Sequence, residues 1–248
     1  MTIAKLLPSS LYVSLCFFLS STLLFSQEEK SGCTCRVLFL ERGESDPKSA
    51  YLFDGIKNHS VKFSGMNLSD PITLSEGATA IAMTPRKVIE PATLPSGSPR
   101  AKIPRKAKEL YIIVASDKEN KTFPVKLFVV NSSDTKFRSG ETMWINLSKN
   151  IVAGKLNDKS FTVAPGKKLV TSPPMEKAGY IKTVFAYKPV GKDKYAPIMR
   201  KTWWFDPKSK YLGFIINRGG RLPKIFTFRD RFFKVEEATE EEPDEPNE

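Results

Sequence analysis

Histidine and cysteine are nearly missing. His59 is the single histidine of the 248-residue chain, and Cys16, Cys33 and Cys35 are its three cysteines. Zinc and copper centres draw three or four ligands mainly from these residue types, so no metal site is expected. A Ser-His-Asp or Cys-His arrangement would hang on His59 alone, and His59 sits in the polar cluster Lys57-Asn58-His59-Ser60, which reads as a surface turn. A disulfide-built scaffold would need more cysteine. There is no Gly-rich phosphate loop and no Gly-x-Ser-x-Gly elbow, so no cofactor is expected either. The 14 Gly and 18 Pro show no triplet period, which excludes collagen. The expectation is a protein that is not an enzyme. A hydrolase using acids that meet only in the fold is the remote alternative.

Acid is scarce in the body of the chain and concentrated at its end. No base follows Lys234, while residues 235–248 hold eight acids, Glu236 through Glu248, with Pro243 and Pro246 among them. This segment reads as a solvated, disordered acidic tail. Residues 1–26 contain one base, Lys5, and no acid. Setting both ends aside takes the 39 bases and 27 acids of the chain to 38 and 19, so the body carries +19 where the whole carries +12. A field of that sign attracts anionic polymers and surfaces.

The start of the chain reads as a targeting segment. The apolar run Leu11 to Phe25 follows Lys5 and stops at Ser26-Gln27-Glu28. It is short for a span, which needs ~20 apolar residues, and fits a signal peptide over residues 1–26. The alternative is an uncleaved N-terminal membrane anchor. Export makes nucleic acid an unexpected partner, and leaves an anionic envelope polymer or another envelope protein. Membrane contact is expected to be peripheral, or through the uncleaved segment. After cleavage Cys33 and Cys35 remain. Two apart on a strand they share a face, with Cα atoms near the limit for a relaxed disulfide. A Cys33–Cys35 bridge is one reading, and two unlinked thiols the other.

What the body does contain is period-two alternation and turn residues. Cys35–Leu40, Tyr51–Phe53, Ser60–Phe63, Pro71–Leu74 and Thr79–Met83 are strand candidates separated by turns such as Asp54-Gly55 and Glu76-Gly77. Strands resume at Glu109–Ala115 and Phe123–Val130. The pair Ile151–Leu156 and Lys159–Val163 is joined by Asn157-Asp158, the length and type of a tight hairpin. Tyr180–Tyr187, Tyr195–Phe205, Lys210–Asn217 and Lys224–Phe228 complete a meander. The fold class is all-β with about fifteen strands, expected as two immunoglobulin-like sandwich lobes of antiparallel strands. One large sandwich with an insertion is the alternative. The expected boundaries are an N-terminal β region over 33–84, a linker or strap over 85–108, and a C-terminal sandwich region over 109–234.

The strap differs in kind. It carries Pro85, Pro91, Pro95, Pro99 and Pro104, and Arg86, Lys87, Arg100, Lys102, Arg105, Lys106 and Lys108 against the single acid Glu90. Proline removes ladder donors, so an exposed extended segment is expected, either gripping an anionic surface or merely connecting. A second candidate lies in residues 199–206. Alternation puts Met199, Trp203 and Phe205 on one face and Arg200, Thr202 and Trp204 on the other, with Lys208 and Lys210 just beyond. Trp204 beside bases could stack on a sugar ring or anchor a partner. The plainer expectation is that the other lobe or a loop covers it. Asn58, Asn67, Asn120, Asn131 and Asn146 each open an Asn-x-Ser/Thr sequon.

The stretch 136–205 runs Phe137-Arg138-Ser139-Gly140, then Ile145-Asn146-Leu147-Ser148, then Ala164-Pro165-Gly166, then a strand ending Thr202-Trp203-Trp204. It resembles a family of uncharacterised secreted bacterial β-sandwich proteins, and the same order is similar to the immunoglobulin-type sandwiches of periplasmic pilus chaperones. The chaperones' basic anchor residues have no counterpart here. The resemblance implies a periplasmic or cell-surface location and a sandwich fold, and no reaction. The leading expectation is an exported, non-enzymatic envelope protein that binds or scaffolds. A chaperone-like protein that captures a strand at an open sheet edge is the alternative.

Overall fold

A strand whose residues alternate apolar and polar has one wet face, and a strand that is apolar throughout must be covered on both. Both kinds occur here, and the difference fixes the layering. The computed structural model describes residues 32–65, 67–133, 137–217 and 222–231. The expected leader over 1–26, the acidic tail over 235–248 and the Gly219-Gly220 join lie outside the described residues.

The strands are β1 (Thr34–Phe39), β2 (Ser49–Phe53), β3 (Asn58–Lys62), β4 (Ile72–Thr73), β5 (Ala80–Thr84), β6 (Arg100–Lys102), β7 (Glu109–Ser116) and β8 (Val125–Asn131), then β9 (Thr142–Asn146), β10 (Ile151–Leu156), β11 (Lys159–Val163), β12 (Lys168–Thr171), β13 (Gly179–Lys188), β14 (Ala196–Phe205), β15 (Lys210–Ile216) and β16 (Lys224–Asp230). One 3-10 turn, Pro91–Thr93, is the only helical element among the described residues. The fold is all-β, as two sandwich lobes.

The strands form four sheets in the orders β3-β2-β5-β6, β4-β1-β7-β8, β12-β9-β15-β16 and β11-β10-β13-β14. Adding eight to every strand number of the first two sheets gives the last two. Both parallel pairs obey the same rule: β1 runs parallel to β7 and β9 parallel to β15, while the other pairings are antiparallel. The chain is therefore two successive copies of one eight-stranded topology. Sheet membership runs across residue 109, because β7 and β8 complete the first sandwich. The 85–108 strap does not join the lobes; it leads from β5 to β6 inside the first one and supplies β6 as an edge strand, the place where a proline-rich segment can pair.

Three apolar cores stack the sheets into four layers. Val37 and Phe39 of β1 and Ile112 and Val114 of β7 meet Leu52 of β2 and Met83 of β5. Trp144 of β9 and Ile215 of β15 meet Val152, Ile181 and Phe185 of β10 and β13. Between the sandwiches, Leu38, Tyr111 and Ile113 pack on Met143, Leu212, Phe214 and Phe228. β7 and β15 are thus buried on both faces, and their unbroken runs Leu110–Val114 and Tyr211–Ile216 are what such strands require. Each fully buried side chain of this size stabilises by about 1.5–3 kcal/mol.

Charge pairs cross the same seam. Arg36 pairs with the fully buried Asp230, which also accepts from Tyr111 Oη at 2.6 Å. Lys210 Nζ reaches Glu109 at 2.9 Å, and Lys224 Nζ reaches Glu41 at 3.5 Å. Burial, with the Glu109 charge adding, raises the Tyr111 hydroxyl above its ordinary value, so it stays a donor to Asp230.

Candidate ligand-binding face

The four layers leave two outer faces, one on each end sheet, and the duplicated topology makes them equivalent. They are not equally open. In the first sandwich the β5–β6 connection folds back over its sheet. Asn58 clamps it from both sides of one residue: its Nδ2 donates to Val88 O at 2.8 Å and its Oδ1 accepts from Val88 N at 2.9 Å. Val88 is buried, Lys87 lies over the Tyr51 ring, and Asn120 and Thr122 hold the carbonyls of Gly97 and Ser96. In the second sandwich the corresponding β13–β14 connection is the short Pro189–Tyr195. It leaves the outer face bare.

That bare face is set by register. β13 pairs β14 with Tyr180 opposite Trp204, Lys182 opposite Thr202 and Val184 opposite Arg200, and β10 brings Lys155 opposite Val184. Strand alternation then places all of these on the solvent side. The buried partners Ile181, Phe185, Trp203 and Phe205 go to the core. Tyr180 and Trp204 meet edge to face, ring centroids 5.1 Å apart, and remain 72% and 52% exposed. The expected cover over Trp204 is absent. Beside the aromatic pair runs an open groove of about 880 Å³ lined by Lys155, Lys159, Lys182, Arg200 and Lys201, with Asp158 as its one acid. Further along, Ala153, Ala186, Ser160 and Thr162 keep the sheet surface shallow. The face thus offers an aromatic platform at one end and a row of cations beside it.

The acid nearest in sequence is taken out of play. Asp206 accepts Lys208 N at 3.0 Å and pairs with Arg229, whose Nε donates to Ser209 Oγ at 2.8 Å. The Lys208 backbone N–H, against the opposing effect of burial and together with Arg229 and Ser209, holds the Asp206 carboxyl below its ordinary range.

The residues singled out in the sequence separate here. Trp204 and Arg200 share the bare face. Lys208 is exposed on the β14–β15 turn. Lys210 faces the seam instead: its side chain is 11% exposed, ion-paired to Glu109, and lies over the Phe137 ring. The strap bases Arg86, Lys87, Arg100, Lys102, Arg105, Lys106 and Lys108 are all exposed, and they belong to the first sandwich rather than to the bare face. Tyr180, Lys182 and Lys155 were missed. The alternation Tyr180-Ile181-Lys182-Thr183-Val184-Phe185 already separates their face from the core, but the cross-strand register that sets them beside Trp204 is not written in any one segment.

The other chemical candidates are structural. Cys33 and Cys35 are free thiols, the unlinked reading of the two. Cys35 is fully buried in the first core, with Cys33 packed against it on the same strand face. Burial, with Cys33 and Asp54 adding, pushes the Cys35 thiol up to about 12, and burial raises Cys33. Both stay protonated at neutral pH and are poor nucleophiles. His59 is no free surface residue: its Nε2 lies 2.8 Å from Asp54 Oδ2. Asp54 also accepts from the backbone of Ile56, Lys57 and Ser75. Burial raises its carboxyl, but these hydrogen bonds outweigh it and hold the group well below the ordinary carboxylate range. Among the described residues no three His, Cys, Asp or Glu side chains converge as metal ligands.

No family model matches the chain, and no curated protein matches it.

Proposed function

We propose that the protein is a non-enzymatic, exported envelope protein that binds an anionic sugar polymer on the outer face of its second sandwich. The observation that carries this reading is the Tyr180–Trp204 pair, exposed beside Lys155, Lys182 and Arg200 on a face whose counterpart in the first sandwich is partly covered by the strap at Tyr51 and Asn58. A pyranose ring presents an apolar face that stacks on an indole, and carboxylate, sulfate or phosphate groups along the polymer meet the cations. The groove is open at the sheet surface, which suits a chain passing across better than a small molecule enclosed. The export and envelope parts of the proposal rest on the leader-like residues 1–26 and on the basic body.

The test is the affinity of the full chain for a short heparin oligosaccharide. Trp204→Ala is expected to weaken it roughly tenfold, the ~1.4 kcal/mol of a modest hot spot, without changing Tm. Affinity is also expected to fall steeply with salt, since exposed charges are screened within ~10 Å at 0.1 M. Binding indifferent to both changes would rule the reading out.

A second reading, strand capture, draws on β14. Among the described residues this ten-residue strand is hydrogen-bonded to β13 on one side only, and no described strand pairs with its other edge. Co-purification of an exported client, lost on placing proline at an outward N–H of β14, is the result this reading expects.

A further inference from the structure

We infer that the molecule carries a second polyanion site at the opposite end of its four-layer stack, so that one protein bridges two strands of the same anionic polymer. This inference rests on the polyanion reading above.

The argument begins with the layer order. The first core joins the β3-β2-β5-β6 and β4-β1-β7-β8 sheets, the seam joins the latter to β12-β9-β15-β16, and the second sandwich's core around Trp144 adds β11-β10-β13-β14. The two outer faces therefore point away from one another. With packed sheets ~10 Å apart, roughly 30 Å of protein separates them. A ligand shorter than that cannot occupy both.

The far end is cationic on a fixed frame. Arg100 and Lys102 stand opposite Ala82 and Ala80, on the side of β6 away from the core, and both are exposed. Arg86 and Lys87 are exposed on the strap, Lys87 over Tyr51, and the strap's backbone is held by Asn58 at Val88 and by Thr122 at Ser96. Glu90 is the one acid between Pro85 and Lys108. The strap bases are thus presented by an anchored segment, and ordering them on a ligand costs side-chain entropy alone. The occupant that fits is a second strand of the polymer bound at the bare face, because both ends present the same sign of charge.

The two sites differ in one respect. Among the described residues the far end has no exposed aromatic pair; Tyr51, under Lys87, is half-buried. It binds by charge alone and loses its ligand first as salt rises, while Trp204 and Tyr180 retain part of the binding at the bare face.

The experiment measures how many short heparin oligosaccharides, too short to span the stack, bind the full chain, alongside light scattering with long-chain heparin. One variant carries Lys155→Gln, Lys182→Gln and Arg200→Gln. The other carries Arg86→Gln, Lys87→Gln, Arg100→Gln and Lys102→Gln. All seven positions are exposed or half-exposed sheet-surface and strap residues, and unchanged Tm is the check on folding. Two oligosaccharides on the wild type, one on either variant, and polymer-induced scattering lost in both variants is the expected result. One oligosaccharide on the wild type, lost with the first variant, overturns bridging and leaves the bare-face site standing. Binding lost only with the second variant, or no binding to the wild type, overturns both.

Discussion

Gly213 shows how one residue without a side chain shapes the second core. A Cβ built there would lie 2.2 Å from Trp144 Cε3, and Gly154 is likewise capped by Phe161, which stacks on Trp144 at 5.0 Å. Gly213→Ala is expected to destabilise by about 1–3 kcal/mol through overpacking, read by chemical denaturation. Asn146 is a second such position. Fully buried, its Nδ2 donates to Asn150 O and Val163 O, so its sequon cannot carry a glycan in the folded protein. Of the five sequon asparagines only Asn67 is exposed. Asp54 governs acid behaviour. Its folded-state carboxyl is lowered, so its contribution is complete above the ordinary value of 3.8 and is lost as pH falls below that. Asp54→Asn is expected to flatten the stability-against-pH curve in that acid range, measured by denaturation at stepped pH. None of these three roles shows in the sequence. Glycine in a strand reads as weakness, and Asn146-Leu147-Ser148 reads as a glycosylation signal, until the neighbour that needs each residue is in place.

At the scale of elements, the outcome turned on alternation. Residues 199–206 divide into core and solvent faces as their period of two predicts, and the Asn157-Asp158 hairpin forms with Leu156 opposite Lys159. The unbroken runs in β7 and β15 identify them as strands, and their burial on both faces shows a third core that a two-lobe reading does not supply. The strap was harder to place, because prolines and bases describe an exposed segment but not what it lies on. Asn58 supplies that information from 30 residues away. Asn58→Ala removes both bonds to Val88, and the strap is expected to become cleavable by trypsin at Arg86 and Lys87 under native conditions. A cleavage rate equal to wild type would show that the clamp does not hold the strap. The loss in global stability should stay near 1–2 kcal/mol, the worth of two modest hydrogen bonds.

The described chain is two copies of one topology sharing an apolar core crossed by charge pairs, and that arrangement explains why they do not act as independent lobes. Asp230 is fully buried there, between Arg36 and Tyr111 of the other copy. Asp230→Ala leaves Arg36 without its partner, and a loss of about 3 kcal/mol or more is expected, since breaking a buried pair costs far more than replacing it whole. Tyr111→Phe should cost about 1 kcal/mol. Either copy expressed alone would expose Leu38, Ile113 and their neighbours, or Leu212 and Phe214, and is expected to aggregate. Partial covering of one outer face by the strap, at Tyr51 and Asn58, and exposure of the aromatic pair on the other is the asymmetry between the copies on which the functional reading stands. The measurement that bears on it most directly is a chemical-shift map of the full chain titrated with a short heparin oligosaccharide at high enough salt to empty the strap end. The account predicts movement of the Trp204 indole N–H and of the Tyr180, Lys182 and Arg200 amides, with the buried Trp144 indole unmoved. Saturable binding that leaves the Trp204 resonance in place would contradict it.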